Sequence, residues 1–117
     1  MPPAGVRIET RSGVVAGRLE DGLAVFRGVP YASAPIGPLR WREPQREPAW
    51  SGARDADRFG AMAPQRPGVL MRMLGMDGAA TDEDCLTLNV WTPQASAADA
   101  ARGRPVLVWL HGGGSSR

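Results

Sequence analysis

Lysine is missing altogether: all 14 basic residues of this 117-residue chain are arginines. That excludes a P-loop, whose lysine reaches the phosphates of a nucleotide. There is one cysteine, Cys85, and one histidine, His111. An internal disulfide is therefore impossible, and so is a zinc site assembled from Cys and His of this chain. No long apolar run exists. The longest, residues 106–110, is far short of the roughly 20 residues a membrane helix needs. Residues 1–11 lack the apolar stretch of a secretory signal, from which a cytoplasmic location is expected. No stretch concentrates positive charge. The arginines are scattered from Arg7 to Arg117 among 12 acidic residues, for a net charge of +2. A nucleic-acid-binding face gathers its basic residues, so neither nucleic acid nor membrane is expected as a partner.

What is present is a soluble, globular composition, 43% hydrophobic and 22% charged, with 15 glycines and 11 prolines. That glycine and proline content predicts many turns and short elements and argues against a helical bundle. Val6, Ile8 and Thr10 alternate with Arg7, Glu9 and Arg11, the period-two pattern of a half-buried strand. Ser12-Gly13 is a turn. A second strand is predicted over 14–19, where Gly17 marks a bulge or a close backbone approach. Asp21-Gly22 is a tight hairpin signal, followed by a third strand over 23–27. Seven prolines between Pro30 and Pro67 preclude long elements there. The same stretch carries Tyr31, Trp41, Trp50 and Phe59, which suits an ordered, wrapped loop. A short helix is predicted over 69–76. Its Met71, Met73 and Met76 read first as a flexible turn and second as lining for a substrate gorge. Residues 86–92 alternate as a strand. Residues 106–110 are a continuous run of β-formers, predicted as a strand buried on both faces in the middle of an α/β sheet.

That last run leads directly into His111-Gly112-Gly113-Gly114. A strand ending in this tetrapeptide suits an oxyanion hole. Acyl transfer places negative charge on one oxygen, and backbone N–H groups must converge on it. Glycine permits that close approach because it has no Cβ and tolerates positive φ. The loop HGGG plays this part in lipases and esterases. The alternative reading is a plain glycine loop at a strand end.

A wider set of stretches carries a family likeness. They are Gly13-Val14-Val15-Ala16-Gly17, Phe26-Arg27-Gly28-Val29-Pro30-Tyr31-Ala32, Pro35-Ile36-Gly37-Pro38-Leu39-Arg40-Trp41, Pro44-Gln45 and Trp50-Ser51-Gly52. Phe59-Gly60 with Pro64-Gln65 follows, then Glu83-Asp84-Cys85-Leu86-Thr87-Leu88-Asn89-Val90-Trp91-Thr92-Pro93. With these and the HGGG segment, residues 6–114 resemble the N-terminal part of a type B carboxylesterase, the family of bacterial para-nitrobenzyl esterases and the cholinesterases.

The resemblance implies the N-terminal portion of an α/β-hydrolase, mostly β in this window. An antiparallel meander and a long Pro-rich loop would precede the first central-sheet strands. Residues 1–117 would be an incomplete part of a single domain. Gly113 and Gly114 match the glycines whose N–H groups form the oxyanion hole. Arg40 and Glu83 match a buried structural ion pair. Cys85 matches a cysteine that many relatives bridge to the cysteine of a Phe-Gly-x-x-Cys-Pro-Gln stretch. That partner position holds Ala63 here, so Cys85 is expected as a free thiol. It is not read as a nucleophile, because the only histidine lies in the HGGG loop.

Two departures stand out. Where the family has an aromatic and a Gly-rich turn after HGGG, this chain has Ser115-Ser116-Arg117. The Gly-x-Ser-x-Gly elbow that carries the family's nucleophile is absent from the 117 residues. Ser115 and Ser116 read as loop serines, and His111 as a residue that shapes the loop. The expected function is therefore a piece of a serine carboxylic-ester hydrolase acting on small-molecule esters, inactive by itself, with no cofactor or metal. The competing readings are a piece of a non-enzymatic, cholinesterase-like adhesion protein and a short binding module.

Overall fold

The computed structural model describes residues 5–66, 68–75, 80–93 and 103–112. Three antiparallel strands open the chain: β1 (Gly5–Thr10), β2 (Gly13–Glu20) and β3 (Leu23–Pro30). The β1–β2 turn is held by its own side chain. Thr10 Oγ1 donates to the Gly13 carbonyl at 2.7 Å and accepts from the Ser12 amide at 3.2 Å. Asp21 (φ 47°) and Gly22 (φ 79°) form the β2–β3 turn, both left-handed. That geometry matches the right-handed twist of the flanking strands, which is why Asp-Gly predicts this hairpin.

Two further strands join this meander. β4 (Ala53–Asp55) runs parallel to β2, pairing Val14 with Ala53 and Ala16 with Asp55. β5 (Thr87–Pro93) pairs antiparallel with β3, so the main path through the sheet is β1-β2-β3-β5. A short helix, α1, covers Val69–Met73, within the predicted 69–76.

The core lies where these strands meet. Val15, Ala24, Phe26 and Ala56 cluster there, each under 5% exposed, with Val6, Val29 and Trp50 packed against them. Gly17 is a close approach rather than a bulge. A Cβ on it would lie 2.3 Å from the Val25 carbonyl oxygen and 2.6 Å from a Phe26 ring carbon. Trp50 reaches back from the Pro-rich segment over Gly13. Its amide donates to Ser12 O and its indole Nε1–H donates to Val14 O, both at 2.9 Å. Of the four aromatics expected to wrap the stretch from Pro30 to Pro67, Trp50 packs against the core, while Tyr31, Trp41 and Phe59 are 55%, 91% and 64% exposed. A single 3₁₀ turn at Gly37–Leu39 is the only helical element of that stretch among the described residues.

β5 forms where the alternation predicted it, and its Leu88, Val90 and Trp91 are 41%, 38% and 52% exposed. The strand expected over 106–110, buried on both faces, is not observed: these residues form no strand, and each is between 74% and 92% exposed. A central strand becomes one only when neighbours pair with its backbone on both edges. Among the described residues nothing pairs with this run.

Candidate active-site loop and its surroundings

The exposed segment 103–112 brings the chain to the HGGG motif. His111 Nδ1 lies 2.9 Å from the Gly112 carbonyl oxygen. A carbonyl oxygen only accepts, so a hydrogen bond at this distance is one in which Nδ1–H donates. Gly113, Gly114, Ser115 and Ser116 lie outside the described residues, as does Met76. Met73 of α1 is 79% exposed.

Arg40 and Glu83 do meet, Nη1 to Oε1 at 2.7 Å. The pair is not buried, however: the side chains are 54% and 39% exposed. The Arg40 guanidinium also lies 5.6 Å from the centroid of the Trp41 ring, which is itself 91% exposed. An exposed pair of this kind contributes at most about 1 kcal/mol. It links the 3₁₀ turn to the segment before β5.

Cys85 is a free, half-buried thiol. Burial pushes its pKa up, and the neighbouring carboxylates of Glu83, Asp84 and Asp82 push in the same direction. Backbone hydrogen bonds join the stretch around Ala63 to the stretch before Cys85. The Met62 amide donates to Ala80 O at 3.0 Å, and the Asp82 amide donates to Met62 O at 2.9 Å.

One polar cluster was not singled out in the sequence. Arg27 grips both oxygens of Glu20, at 2.7 and 2.8 Å. Its guanidinium also stands 5.1 Å from the Phe59 ring centroid and 6.0 Å from that of Trp91. Arg18 likewise pairs with Asp57. These hydrogen-bonded arginines hold the carboxyls of Glu20 and Asp57 below their ordinary values. The arrangement ties β2, β3, β5 and the 56–60 loop together. Only the presence of Arg27 inside the Phe-Arg-Gly-Val-Pro stretch hinted at it.

An open depression of about 580 Å³ is lined by Pro38, Leu39, Trp41, Arg42, Glu43 and Gln45. None of these six is a Ser, Cys or His, so it holds no Ser–His or Cys–His pair. Among the described residues, no three His, Cys, Asp or Glu side chains converge as a metal site. No described helix is long and apolar enough to cross a membrane.

Residues 4–116 match the model of the carboxylesterase family. This chain belongs to that family. It is 53% identical over 108 residues to the phenmedipham hydrolase of Pseudarthrobacter oxydans, covering 90% of this chain and 21% of that protein. With the para-nitrobenzyl esterase of Bacillus subtilis (strain 168) the identity is 34% over 106 residues, 91% of this chain and 21% of the relative. The structure of the Geobacillus stearothermophilus carboxylesterase EST55 at pH 6.2 superposes with a TM-score of 0.75 at 39% identity. That match covers 92% of this chain and 19% of that one. The chain thus spans about a fifth of the length of the carboxylesterases it matches. Its fold is the N-terminal portion of an α/β-hydrolase, mostly β, with few helical residues.

Proposed function

We propose that the chain is the N-terminal part of a single carboxylesterase domain, and that the whole protein is a serine hydrolase of small-molecule carboxylic esters. The observation that carries this reading is the family match over 4–116, which runs through the HGGG motif. The relatives are named for phenmedipham, fumonisin B1, para-nitrobenzyl esters and cocaine. What such differently named hydrolases share is support for a common reaction rather than a common substrate.

In this reading a serine downstream of residue 117 attacks the ester carbonyl, a histidine takes its proton and a carboxylate orients that histidine. The part supplied here is the oxyanion hole. The N–H groups of Gly113 and Gly114 would donate to the carbonyl oxygen as it becomes negative, and His111 would hold the entry to the loop. The 117 residues carry no elbow serine, and their one histidine lies in the HGGG segment. The chain alone is therefore inactive.

Turnover of para-nitrophenyl acetate tests both halves. The 117-residue chain is expected at background, and the whole protein well above it. Activity in the chain that disappears in Ser115→Ala or Ser116→Ala would overturn the assignment of these as loop serines. A whole protein with no elbow serine and no activity would favour the adhesion-type reading.

A further inference from the structure

We draw no further inference here: the strongest candidate, the outer edge of β5 with its exposed Leu88, Val90 and Trp91 together with the exposed apolar run 106–110, carries nothing because no contact among the described residues shows what covers it.

Discussion

The side-chain oxygen of Asn89 accepts a hydrogen bond from the backbone amide of Gly28 at 3.0 Å. The two residues are 61 positions apart and meet where the β3–β5 ladder is interrupted between Phe26 and Val29. An irregular step in a ladder leaves a backbone donor without its usual acceptor, and Asn89 supplies one. Gly28 has φ 68°, and a Cβ on it would sit 2.7 Å from the Arg58 carbonyl oxygen. The Asn of the Leu-Asn-Val-Trp stretch and the Gly of Phe-Arg-Gly-Val-Pro thus serve one structural feature.

Gly28→Ala should destabilise more than Asn89→Ala. The first adds positive-φ strain of about 1–3 kcal/mol and a clash with backbone. The second removes one hydrogen bond at an exposed position, about 0.5–1.5 kcal/mol. Urea midpoints followed by tryptophan fluorescence give the order, and a Gly28→Ala variant as stable as the parent would contradict it.

Gly17→Ala should cost about 1–3 kcal/mol or more through overpacking, because its Cβ would meet the Val25 carbonyl and the Phe26 ring. Gly5→Ala is the control. Like Gly17 it has no positive φ, and the nearest atom to its added carbon, the Gly17 carbonyl oxygen, is an ordinary contact at 4.0 Å. Amide exchange across β2 and β3 should accelerate in Gly17→Ala well beyond the control. Equal exchange would mean that the strands do not approach so closely.

Acid should loosen the clamp formed by Arg27–Glu20 and Arg18–Asp57. Both carboxyls have lowered folded values, so their stabilising contribution is complete above the ordinary carboxylate range. It is lost as pH falls through the folded values. Glu20→Gln should flatten part of the stability loss seen between neutral and acidic pH. Arg27→Lys should not restore the parent, because lysine cannot make the two-pronged contact. A Glu20→Gln variant with an unchanged pH profile would remove this pair from the account.

Ala63→Cys should create the bridge that the resemblance implies for many relatives. Met62 is already bonded by its backbone to Ala80 and Asp82, which holds the two stretches side by side. Closing the 63–85 loop would stabilise by about 3 kcal/mol in the chain-entropy model. Oxidation should remove both thiols from reaction with DTNB. Two titratable thiols after oxidation would show that the stretches do not bring the side chains together. In the parent, the raised Cys85 thiol should react slowly at neutral pH and faster as pH rises.

Gly114→Val in the whole protein should lower kcat by about 10²–10³ by displacing an oxyanion donor. Tm should change little, since the role proposed for Gly114 is to present a backbone donor. Unchanged kcat would mean that the glycines only turn the chain.

What the sequence determined by itself is what short range decides. Asp21-Gly22 selects its turn through φ, Ser12-Gly13 marks the other, these turns bound β2 and β3, and period-two alternation gives β1 and the position of β5. The HGGG motif and the family stretches are also visible as written. Burial was not. Leu88, Val90 and residues 106–110 are apolar β-formers whichever way they face, and whether they are covered depends on neighbours far along the chain. The same holds for Arg40 and Glu83, which pair as expected but at the surface. Only the tertiary structure put Asn89 against Gly28, Trp50 over Gly13, and Arg27 close to Phe59 and Trp91. Each of these contacts joins residues that no local periodicity relates, so it exists only once the strands have found their register.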